Sequence, residues 1–202
     1  MADPAFALRS TDDLREIAGP SARLTFRRVD GRWTHDVAFG PSATAMAQAV
    51  EHDPARDDPG RLVSPAYQEF HWQPDLDAAR SFLTGQLTPH HFSAVVTPRP
   101  EAGGASIEFD VAGRSRTEIA AFACTYDVDA DPGALVDAGP SAIAWESPDT
   151  WGPGRLEFNA EPPYAVALGE GTRRGIRVQA LAPLTPGVHT RRCVYRWRWT
   201  AG

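Results

Sequence analysis

His189-Thr190-Arg191-Arg192-Cys193-Val194-Tyr195-Arg196-Trp197-Arg198-Trp199-Thr200 alternates with a period of two. In an extended chain Cys193, Tyr195, Trp197 and Trp199 fall on one face, and Arg192, Val194, Arg196 and Arg198 on the other. No helix has that period. Burying each large apolar side chain is worth roughly 1.5 to 3 kcal/mol, and leaving several exposed together invites aggregation. The aromatic face therefore demands an opposing layer, and the segment reads as a strand that closes a core.

At 202 residues the chain fits one large β-rich domain, residues 1–202, long enough to bury a proper core. All 20 basic residues are arginine, and Ala, Gly and Pro are abundant, which is the mark of a GC-rich, bacterial genome. The net charge of -6 argues against nucleic acid or an anionic membrane as a partner, because both are attracted chiefly by a positive field. The N-terminal residues lack a basic, apolar leader, and no stretch approaches the roughly 18 to 20 apolar residues of a spanning helix. A cytoplasmic protein is expected. Its two cysteines, Cys124 and Cys193, would then be reduced. Each lies on an apolar strand face, as a small buried hydrophobe or as half of a disulfide joining two sheets.

Outward from the closing strand, the segment 24–39 reads as a hairpin around Asp30-Gly31, a pair suited to a type I′ turn. A second hairpin joins 89–97 to 106–114. Further strands are expected at 119–128, 142–146, 155–159, 164–168 and 175–181, separated by Gly- and Pro-rich turns. Capping residues and acids in Ser10-Thr11-Asp12-Asp13, followed by Leu14 and Ile17, predict one short N-terminal helix over 10–18. Residues 41–51 suggest another, 75–87 fit either a helical turn or an edge strand, and 52–65 read as a long loop. Many short strands with few helices predict an antiparallel β-sandwich, with a barrel second.

Three groups of side chains can carry chemistry. Glu69 and His71 share a strand face, and His90-His91 opens another strand. If those strands are neighbours, Glu69, His71 and His90 make a catalytic acid–base set, and Glu69, His71 and one of His90 or His91 would be the metal ligands of an open site. No recognised metal-ligand spacing is present, so no metal is expected. The acids Glu108, Asp110 and Glu157 lie opposite apolar faces and are expected in solvent. The absence of G-x-S-x-G, of a Walker loop and of G-x-G-x-x-G leaves nucleophilic catalysis and phosphate cofactors unsupported, and no cofactor is expected. Trp72, Trp145 and Trp151 are the ligand-binding candidates, Trp145 and Trp151 because they flank the loop-like Glu146-Ser147-Pro148-Asp149. Arg191, Arg192, Arg196 and Arg198 form a basic stripe that acidic neighbours on adjacent strands would cancel.

Two roles follow. The first is a non-catalytic sandwich that binds a small polar ligand such as a carbohydrate through Trp72, Trp145 and Trp151. The second is a small β-barrel cyclase or isomerase of bacterial secondary metabolism, using Glu69, His71 or His90 to move a proton. The interior separates them: a barrel enclosing about 300 Å³ or more supports the enzyme, and a solid sandwich supports the binder. Oligomeric state is open, since an edge strand can pair with another chain.

Overall fold

Alternation of apolar and charged residues builds almost every element of this chain, and the computed structural model describes them over residues 5–40, 45–53, 56–73, 79–146, 151–169 and 176–202. The strands in chain order are β1 (Ala7–Ser10), β2 (Leu14–Ala18), β3 (Ala22–Val29), β4 (Arg32–Phe39), β5 (Ala47–Ala49) and β6 (Arg61–Leu62). Then come β7 (Glu69–Gln73), β8 (Arg80–Leu87), β9 (His90–Glu101), β10 (Gly104–Ser115), β11 (Ala121–Val128) and β12 (Leu135–Ala138). The last are β13 (Ala142–Glu146), β14 (Gly154–Asn159), β15 (Ala165–Leu168), β16 (Ile176–Leu181) and β17 (Thr190–Ala201).

They form two antiparallel sheets facing each other. Sheet I runs β1-β2-β3-β4-β5-β11-β16-β15, with β6 added in parallel beside β11. Sheet II runs β12-β13-β14-β17-β10-β9-β8-β7. Neither closes on itself, so the fold is a sandwich and the barrel alternative is set aside. β17 sits mid-sheet between β10 and β14. Its Cys193, Tyr195, Trp197 and Trp199 are buried, while Arg192 and Arg198 on the opposite face are exposed. From sheet I, Leu24, Phe26, Val37, Phe39, Phe122 and Tyr126 fill the other side of the same core. The Tyr126 ring meets Trp197 edge-on at 5.2 Å, and Phe109 stacks on Tyr195 at 5.1 Å. The β3–β4 hairpin turns where expected, with Asp30 and Gly31 both at positive φ, 49° and 77°, as a type I′ turn requires.

The expected N-terminal helix is a strand instead. Leu14–Ala18 pairs with β1 on one side and β3 on the other, and Ile17, opposite Leu24, is fully buried. Thr11 and its acidic neighbours shape the β1–β2 turn, where the Thr11 amide donates to the Leu14 carbonyl at 2.9 Å. Pairing on both edges overrides a helix signal built from caps alone. In the expected helix over 41–51, residues 41–44 lie outside the described residues and Ala47–Ala49 is β5. Of 75–87, residues 75–78 lie outside them as well, and Arg80–Leu87 is a strand. Among the described residues no helix is long and apolar enough to cross a membrane.

Candidate functional site

The register of sheet II separates the residues expected to do acid–base work. β7 is the edge strand, and its Glu69 and His71 point outward, 68% and 70% exposed at the side chain and 3.9 Å apart. The Thr84 hydroxyl donates to Glu69 at 2.9 Å. His71 is level with Phe82 and, through it, Val95, whereas His90 lies five residues earlier on β9, roughly 17 Å along the strand. His90 also faces the other way: it is buried, with Nδ1 2.9 Å from the Ser115 hydroxyl. Glu69, His71 and His90 therefore do not converge. No group of three or more His, Cys, Asp or Glu side chains placed to hold a metal occurs among the described residues.

The tryptophans lie deeper than their sequence neighbours suggested. Trp145 is central in β13, level with Leu156 of β14, fully buried and stacked on Trp197 at 6.2 Å. The alternation Ile143, Trp145 inward against Ala142, Ala144, Glu146 outward carries it into the core. Trp151 is buried too, and Ser147–Thr150 lie outside the described residues. Neither indole is open to a ligand at the surface. Trp72 is half-buried on β7 and packs against the same core.

Between the sheets lies a polar chain of aromatic side chains. His35 Nε2 is 2.8 Å from the Tyr126 hydroxyl, which is 2.7 Å from the Tyr195 hydroxyl. Burial pushes the His35 pKa down to about 3, so the ring is neutral and its Nε2 shares one hydrogen with the Tyr126 hydroxyl. Burial also raises the pKa of Tyr67, Tyr126, Tyr195 and the Cys124 thiol well above their ordinary values. Both thiols are free and buried. The hollow beside this chain, lined also by Arg32, Glu51 and His52, holds about 20 Å³, when one water needs about 10–15 Å³. It takes a water and nothing larger, far from the roughly 300 Å³ of an enzyme pocket.

The larger space is outside. On the outer face of sheet II, Glu108 of β10, Asn159 of β14 and Arg192, Val194 and Arg196 of β17 floor a cleft of about 220 Å³, walled by Ala160, Glu161, Pro162 and Tyr164. Alternation aims these side chains outward, and the register brings them together: Arg196 is level with Glu108 on one side and Asn159 on the other. Arg196 donates to Glu108 at 2.7 Å, and Arg192 makes a two-pronged pair with Asp110 at 2.7 and 2.6 Å. Asp110 raises the Arg192 pKa further above its ordinary value. Beyond the cleft, Arg198 bonds Glu101 at 2.7 Å and Arg155 bonds Glu157 at 2.9 Å. Three of the four arginines of the basic stripe are thus matched by acids, as expected, and the fourth, Arg191, is buried. Arg196 Nε, shielded from water, has no hydrogen-bond partner among the described residues. The sequence supplied both arginines and acids, but only the pairing of β10 and β14 with β17 makes them one site.

No protein-family model matches the chain, and no curated protein matches it. Among solved structures it is similar to the crystal structure of 4-alpha-glucanotransferase from Thermococcus litoralis, with 12% identity and a TM-score of 0.47. That match covers 100% of this chain and 40% of the other, so the chain spans less than half the length of that protein. At this level the likeness carries no argument about activity.

Proposed function

We propose that this protein is a binding module that takes a small, neutral, hydroxyl-rich ligand of carbohydrate type in the cleft on the outer face of sheet II. The observation that carries the reading is the cleft's chemistry: about 220 Å³ lined by arginines already paired with carboxylates. Paired charges leave little net field to attract an ion, yet keep planar donors and acceptors in fixed positions. A ligand that offers both donors and acceptors from each hydroxyl fits such a surface. Asn159 adds one more group of each kind, and Tyr164 supplies ring surface at the wall. The volume lies below the usual 300–1,000 Å³ of drug-sized pockets and suits a single-ring ligand.

Nuclear magnetic resonance titration of the full chain with a panel of neutral monosaccharides tests this. Saturable shifts confined to residues 159–164, 192–196 and 108–110, lost in Arg196→Gln, are expected. Shifts absent across the panel, or centred on β7, overturn it.

A further inference from the structure

On the outer face of sheet II, Arg155, Arg192, Arg196 and Arg198 each lie within 4.0 Å of a carboxylate. One end of the face instead gathers two arginines and a histidine around a hollow. His91 of β9 and Arg114 of β10 are direct cross-strand partners, both exposed, and Arg116 lies just past the end of β10. Together the three line a hollow of about 290 Å³. Among the described residues neither arginine is ion-paired, although exposed Glu118 stands two residues beyond Arg116.

We propose that His91, Arg114 and Arg116 bind a doubly charged oxyanion of the phosphate-monoester or sulfate class. Two guanidinium forks match tetrahedral oxyanions through paired N–H donors, and the imidazole ring can add a further donor. The chain's net charge of -6 opposes long-range attraction of a polyanion, so the occupant is a small anion held by contact. Facing His91 are Gln86 of β8, which is uncharged, and Arg114 of β10, with Arg116 alongside. The next charges along the face are the mutually paired Asp110 and Arg192, while Glu118 and His189 lie on the flanking loops. This site is independent of the sugar cleft, and neither stands or falls with the other.

Calorimetric titration of the full chain at low ionic strength tests the proposal, with sodium sulfate as first probe. One saturable site is expected. The double variant Arg114→Gln/Arg116→Gln is expected to lose at least about tenfold in affinity with an unchanged unfolding midpoint. His91→Gln should weaken binding by a smaller factor, since it leaves both arginine forks in place. Arg99→Gln, an exposed arginine elsewhere on the face, should change nothing. Inorganic phosphate and glycerol phosphate then separate a free anion from an ester, tighter binding of the latter marking the ester as occupant. Unsaturable heats, or an equal loss in Arg99→Gln, would each overturn the site.

Discussion

The hydroxyls of Tyr126 and Tyr195 meet at 2.7 Å between the two sheets, the first contributed by β11 of sheet I and the second by β17 of sheet II. With His35 on β4 they form a hydrogen-bonded chain that ties the sandwich together at its centre, where both tyrosines are almost wholly buried. Inside a core such a chain is worth keeping only when every member is satisfied. Tyr126→Phe strips the partner from both His35 Nε2 and the Tyr195 hydroxyl. It should cost about 1–3 kcal/mol for each group left stranded, read from urea unfolding. Adding Tyr195→Phe should then cost less than it does alone, since one of the two stranded groups is gone. Strict additivity would show the hydroxyls to be energetically separate.

Stability should fall with acid, with His35 as one cause. Its folded pKa is lowered to about 3 from the ordinary 6.5, so between those limits the unfolded chain binds a proton that the folded chain refuses. Unfolding free energy therefore rises with pH across that window, with a slope approaching about 1.4 kcal/mol per pH unit from this group, and levels off above it. His52 and His90, also lowered by burial, act in the same sense. His35→Gln should flatten the slope measured by denaturant titration over the upper part of the window. An unchanged slope would mean that the other two histidines carry it.

How much of this was legible in the sequence depends on whether one strand suffices to read it. Cys193 to Trp199 declares its inward face unaided, because from Tyr195 onward ring and guanidinium alternate without a break, and Asp30-Gly31 declares its turn. Leu14–Ala18 misleads, since Ser10 to Asp13 offer helix caps and only the pairing of Ile17 with Leu24 reveals a strand. Trp145 misleads for a related reason: its neighbours in sequence resemble a loop, whereas its neighbours in space are Trp197 and Leu156. The cleft was least legible. Glu108, Asn159 and Arg196 are each ordinary outward residues of a strand, and their convergence is a property of register that no single segment contains.

Trp145 makes the difference between the two placements measurable. A surface aromatic that serves a ligand is removed at little cost to the fold, while a fully buried indole leaves a cavity. Trp145→Ala should cost about 3–5 kcal/mol, whereas Trp72→Ala, half-buried on an edge strand, should cost clearly less. Chemical denaturation of the two variants side by side checks the order. Near-equal costs would contradict the burial of Trp145.

Asp110 separates scaffold from site. Its pair with Arg192 has near-ideal two-pronged geometry, yet the Arg192 side chain is 60% exposed and Asp110 33%, so solvent screens most of the attraction. Asp110→Asn should therefore change stability by no more than about 1 kcal/mol, and the change should shrink further in about 1 M salt, where the screening length is near 3 Å. The same substitution frees the Arg192 fork, which then stands at the edge of the cleft with an unbalanced positive charge. Neutral ligands should bind more weakly, because the donors they met are no longer held in place, and acidic analogues should bind more tightly. Affinity and stability would thus move apart, which a purely structural ion pair cannot produce. Parallel calorimetry with a neutral sugar and its uronic acid, alongside denaturant unfolding, reads both quantities from one variant. A fall in stability of several kcal/mol with no change in ligand preference would return Asp110 to the scaffold.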